Sequence, residues 1–88
     1  MGYYLISYDL LSQNHDYIDL YMAIKSLGDW QHPLESVWIL YSNLDSNRIY
    51  ESVKNTLMEG DRIIVMSINP DDIQGWLSRS FWQWLNDK

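Results

Sequence analysis

The chain contains no cysteine, which removes two devices that stabilise small domains, a disulfide framework and a thiolate zinc site. Basic residues are scarce as well. Six Lys and Arg stand against twelve Asp and Glu, and Lys25, Arg48, Lys54, Arg62, Arg79 and Lys88 are scattered singly, without a basic tract. Non-specific binding of nucleic acid relies on a basic surface that displaces counterions, so this balance argues against it. Long apolar runs are missing too; none approaches the ~20 residues of a membrane span. Met1 to Asp9 lacks the basic n-region and long apolar core of a signal peptide. Ile6 stands where a myristoylation signal wants Ser or Thr. The expected location is the cytoplasm, with no membrane as partner.

What the chain has is aromatic mass. Its 88 residues make one domain, which buries a smaller share of its surface than a large one does and is marginal alone. Five tryptophans and seven tyrosines supply the area, since each aromatic side chain buries roughly 150–250 Å². Stability must come from dense packing or from a partner.

Tyr3 to Asp9 reads as a strand, with Tyr4, Ile6 and Tyr8 on one side and Tyr3, Leu5 and Ser7 on the other. The polar stretch from Ser12 to Asp16 offers Asn14 or Asp16 as a helix cap. Tyr17, Leu20, Ile24 and Leu27 then form one helical stripe, with Asp16 and Asp19 in its first turn and Gly28 as the left-handed residue that ends it. Trp30 to His32 and Glu35 to Tyr41 read as short strands broken near Pro33, which cannot donate to a ladder. Ile49, Val53 and Leu57 mark a second helix from about Ser46 to Met58. Arg62 to Ile68 is the last strand, stopped by Asn69-Pro70. The tail, residues 71 to 87, carries Ile73, Trp76, Leu77, Phe81, Trp84 and Leu85 at spacings that suit short helical turns. Asp71-Asp72 reads as a helix N-terminus, whereas Glu59 and Asp61 read as solvated carboxylates flanking a turn.

This order predicts a single α/β domain of the α+β kind, a ferredoxin-like βαββαβ sandwich with its core in residues 3 to 68 and an apolar, Trp-rich C-terminal extension. The run Val37 to Tyr41 is apolar at every position, so that strand has no wet face. At ~25 cal/mol per Å², leaving one side of it exposed would forgo many kcal/mol. Both a second copy stacking its sheet in a two-fold homodimer and the tail folding across are expected to cover that side.

The chain resembles the CRISPR-associated protein 2 family, the small subunit of spacer acquisition, and most closely its SinR-like branch. The resemblance rests on Tyr4-Leu5-Ile6-Ser7-Tyr8-Asp9-Leu10, on Ile24-Lys25-Ser26-Leu27-Gly28, on Trp30 and Pro33, on Leu34-Glu35-Ser36-Val37-Trp38, and on Gly60-Asp61-Arg62. It spans residues 3 to 68. It implies a ferredoxin-like homodimer in which the aspartate ending the first strand, here Asp9, meets its dimer mate and helps to hold a divalent metal, Mg²⁺ or Mn²⁺, for phosphodiester cleavage. The chain departs from the nuclease pattern after Asp9. Several basic residues follow there in members that act on nucleic acid, and Leu10 to Asp16 offers only His15.

Asp9 is therefore the candidate catalytic and metal-ligating residue, since Mg²⁺ commonly takes one or two carboxylates with water. Its structural alternative is to accept backbone N–H groups in the following turn. His15 is the candidate acid or base; His32 shows no metal-ligand spacing with it. Ser7 and Ser36 could line a cleft near Asp9. Tyr8 and Trp38, with Tyr3 and Trp30, offer π-faces to a base or nucleotide, or else serve core and interface. Two function classes follow: a metal-dependent nuclease-like homodimer or a degenerate relative of one, and a non-catalytic module for a protein partner or a small nucleotide.

Overall fold

The computed structural model describes residues 1–12 and 15–88. Four strands and three α-helices alternate along it: β1 (Gly2–Asp9), α1 (Ile18–Lys25), β2 (Asp29–Leu34), β3 (Val37–Ser42), α2 (Ser46–Val53), β4 (Arg62–Ile68) and α3 (Arg79–Asn86). The strands form one antiparallel sheet in the order β2-β3-β1-β4, an α+β arrangement with β3 and β1 in the middle.

The central position of β1 and β3 explains their apolar character on both sides. Ile6, Trp38 and Leu40 are buried with Leu20 and Ile24 of α1 and Ile49 and Val53 of α2, and Tyr4 and Tyr8 pack against this cluster. On the opposite face, Ile39 is buried with Phe81 and Leu85 of α3, and Tyr3, Leu5 and Val37 pack around them. The sheet is thus covered by its own chain on both sides, by α1 and α2 on one and by α3 on the other. The cover by α3 is partial. On the edge strand β4, Ile64 is 55% and Met66 46% exposed, and these residues pair with Ser7 and Leu5 of β1.

Local chemistry sets the element ends, in several places differently from the sequence reading. The Asp16 carboxylate accepts the Ile18 N–H (3.0 Å) at the start of α1; Asn14 lies outside the described residues. Gly28 is not left-handed: the one positive-φ glycine is Gly60 (φ 90°), in the turn before β4. Position 28 needs glycine for space, because a Cβ there would lie 2.3 Å from the Tyr41 carbonyl oxygen. Pro33 lies inside β2 rather than between strands. It is tolerated because β2 is an edge strand and its pairing with β3 is irregular between Gln31 and Leu34.

The second helix is shorter than its stripe implies. Asp45 caps it by accepting the Arg48 N–H (2.8 Å), but after Val53 the chain tightens into a 3₁₀ turn, Lys54–Thr56, and Leu57 is extended. The Thr56 hydroxyl donates to the Val53 carbonyl (2.6 Å), a group that a continuing helix would bond through its own N–H. Asp71-Asp72 does not begin a helix either. The Asn69 side chain accepts the Asp71 N–H (3.0 Å) and its carbonyl the Asp72 N–H (3.1 Å), making a turn. The helix starts at Arg79, where Ser78 Oγ accepts the Phe81 N–H (3.2 Å). Among the described residues no helix is long and apolar enough to cross a membrane.

Candidate functional site

Asp9 closes β1, opposite Arg62 in the ladder, with an exposed side chain. Hollows open on both sides of it. The larger, about 410 Å³, is lined by Tyr8, Asp9, Tyr17, Tyr21, Glu35 and Ser36, with Leu10 and Ser12. The smaller, about 270 Å³, is shallow and lined by Ser7, Asp9, Arg62 and Ile64, among others. Ser7 lies on β1, and Ser36 lies in the turn between β2 and β3. Ser36 borders the larger hollow and Ser7 the smaller, and Asp9 borders both.

The wall of the larger hollow is built on the buried Trp38. Its Nε1–H donates to the Tyr8 hydroxyl (2.9 Å), and that hydroxyl donates to the Glu35 carbonyl (3.4 Å). Burial is the main cause that raises the Tyr8 pKa above its ordinary value. His32 stacks on Trp38 with ring centroids 3.8 Å apart, and its Nε2 lies 3.0 Å from the Glu35 carbonyl oxygen. Tyr21 stacks on Trp38 as well (6.0 Å). Trp38 is 2% exposed, so it supports the tyrosines and offers no free ring face. Tyr3 and Trp30 are also committed: Tyr3 meets Trp84 edge-on (6.2 Å), and Lys25 Nζ lies over the Trp30 ring (4.9 Å).

Asp61 is the residue whose role the sequence reading missed. It accepts the backbone N–H groups of Leu11 (2.9 Å) and Met58 (2.8 Å) and the Tyr17 hydroxyl (2.8 Å). Burial works to raise its pKa, but the Leu11 and Met58 N–H groups, the Tyr17 hydroxyl and the charge of His15 together hold it below the ordinary carboxylate value. His15 itself packs edge-on against Tyr17, ring centroids 4.7 Å apart. Asp61 thereby ties the chain leaving β1 to the turn entering β4. The Gly60-Asp61 pair after an amphipathic helix was the available signal, but the partners lie up to 50 residues away in sequence.

Asp9 differs. Among the described residues its carboxylate and that of Glu35 make no side-chain hydrogen bond or ion pair; the ion pairs are Lys54–Glu51 and Lys88–Asp29. Nor do three His, Asp or Glu side chains gather anywhere among the described residues to hold a metal. Among the described residues, the larger hollow has carboxylates and phenols on its wall and no Lys, Arg or His. It is suited to accept hydrogen bonds and balance positive charge, and unsuited to a phosphate. Comparison with protein-family models, with curated proteins and with solved structures gives no match.

Proposed function

We propose that this chain is a ferredoxin-like binding module, a relative of the CRISPR-associated protein 2 family that keeps the aspartate at the end of the first strand without the basic surroundings of a nuclease. The strand order β4-β1-β3-β2, with helices on the two crossovers, supports the ferredoxin-like reading. The observation that carries the function is the larger hollow beside Asp9, an aromatic recess whose ionisable carboxylates are Asp9 and Glu35. Its occupant is part of a protein partner or a small molecule, because an open recess of this size takes a side chain or a small ligand and repels a polyanion.

The module acts as a homodimer in this reading. Ile64 and Met66 are exposed apolar side chains on β4, adjacent to the β1 residues that lead to Asp9, and a second copy covers such a strip at little cost. Light scattering at micromolar concentration tests this: a dimer is expected, and a Met66→Asp variant that stays folded is expected to run as a monomer.

The exposure of Asp9, which among the described residues makes no side-chain hydrogen bond or ion pair, favours a second reading, metal-dependent phosphodiester cleavage by a dimer that pairs two Asp9 carboxylates. Single- and double-stranded RNA and DNA, incubated with Mg²⁺, Mn²⁺ or EDTA, decide between the two. The binding-module reading expects no cutting. Metal-dependent cutting that disappears in Asp9→Ala would replace it.

A further inference from the structure

Two carboxylates line the larger hollow and a third, Asp61, holds its lining residue Tyr17 from behind; their engagements differ. Asp61 is consumed by two backbone N–H groups and a phenol. Asp9 and Glu35, both exposed, have no such partners among the described residues, and both line the cavity. Tyr8 and Tyr21 line it as well, their ring centroids 6.4 Å apart at 36°. The Tyr8 hydroxyl is held by Trp38 and by the Glu35 carbonyl. The wall is therefore set before any ligand arrives, which lowers the ordering cost of binding.

Resting on the binding-module reading, we infer that this hollow is a site for an organic cation, a guanidinium or alkylammonium group, set against Tyr8 and Tyr21 and balanced by Asp9 and Glu35. A cation within about 6 Å of an aromatic face is attracted by the ring quadrupole, and more strongly when partly desolvated. The fold already uses this contact, with Lys25 over Trp30 at 4.9 Å. A hard metal ion gains nothing from tyrosine rings, whereas an organic cation uses rings and carboxylates together. The volume, about 410 Å³, falls within the ~300–1,000 Å³ of ordinary ligand sites. The formal charge of −6 attracts cations from a distance. The cation is either the side chain of an Arg- or Lys-bearing partner or a free small molecule.

The test is a titration of the ¹⁵N-labelled protein, followed by NMR, with argininamide, with spermidine, with a short Arg-rich peptide and with adenosine monophosphate. Saturable shifts centred on Tyr8, Asp9, Tyr21 and Glu35 are expected with the cations. Affinity should fall at least tenfold in Asp9→Asn/Glu35→Gln, fall severalfold in Tyr21→Leu, and stay unchanged in Asp72→Asn. Both sites of the double variant are exposed, and its amide spectrum reports whether the fold is kept. Peptide binding at least tenfold tighter than argininamide assigns the cation to a partner's side chain; equal affinities assign it to a small molecule. Absence of saturable shifts with every cation, or undiminished affinity in the double variant, overturns the inference. If adenosine monophosphate alone occupies the hollow, the cation is wrong and the binding module stands. Cleavage that depends on metal and on Asp9 overturns both.

Discussion

Tyr17, at the entrance to α1, donates its hydroxyl hydrogen to Asp61, at the entrance to β4, with 2.8 Å to both carboxylate oxygens. The same carboxylate accepts the Leu11 and Met58 N–H groups. One ionised side chain thus fastens the loop beyond β1, the first helix and the turn after the second helix, and so fixes one wall of the cavity beside Asp9.

This contact makes stability depend on pH in a definite direction. Asp61 has a lowered pKa in the folded state, so its contribution is full above the unfolded value of about 3.9 and is lost as the pH falls through the lower folded value. Tyr17 is raised, mainly by burial and then by its bond to Asp61. Its contribution is full below about 10 and is lost as the pH rises through the raised value. Urea unfolding across pH, followed by tryptophan fluorescence, should show both limbs. Asp61→Asn should flatten the acid limb and Tyr17→Phe the alkaline one, each with a lower midpoint at neutral pH.

The second core depends on one small helix. Phe81 is 1% exposed against Ile39, so Phe81→Ala should cost about 3–5 kcal/mol, in the range for emptying a buried aromatic site. Phe81→Leu should cost less. Amide exchange should show α3 opening first in the milder variant, with α1 and α2 still protected, because those helices pack on the other face of the sheet. Equal loss of protection on both faces would show that the two cores unfold as one.

Gly28→Ala should destabilise by about 1–3 kcal/mol, the usual cost of overpacking. The added Cβ meets a backbone carbonyl that can move only with β3. The left-handed explanation would instead let Asn substitute well at this position. Here Asn should be at least as damaging as Ala in thermal unfolding.

Ser42 is a buried polar side chain, 1% exposed. Its Oγ donates to the Leu27 carbonyl (2.7 Å) and accepts the Leu44 N–H (3.1 Å), joining the chain after α1 to the end of β3. Ser42→Ala leaves both backbone groups without that partner and should cost about 1–3 kcal/mol. Ser42→Cys, similar in shape and a weaker hydrogen-bonding group, should fall between Ala and the wild type in chemical denaturation.

The amino-acid sequence by itself determined the order of strands and helices, because hydrophobic period is a local property that survives in any tertiary setting. Tyr4, Ile6 and Tyr8 alternating with Tyr3 and Leu5 sorted β1 into two faces. Leu20 and Ile24, and Ile49 and Val53, marked the buried sides of both helices. The unbroken apolar run of β3 required cover on both sides. Tertiary structure alone decided what supplied it on the second face, since Phe81 and Leu85 reach Ile39 only after the chain has crossed the sheet. It also decided which carboxylates are spent. Asp9, Glu35 and Asp61 are alike as letters, but hydrogen-bond partners distant in the chain commit Asp61, while Asp9 and Glu35 stand at the cavity. Gly28 makes the same point: glycine after a helix suggests a turn, and only the approach of Tyr41 from another strand shows that the requirement is for space.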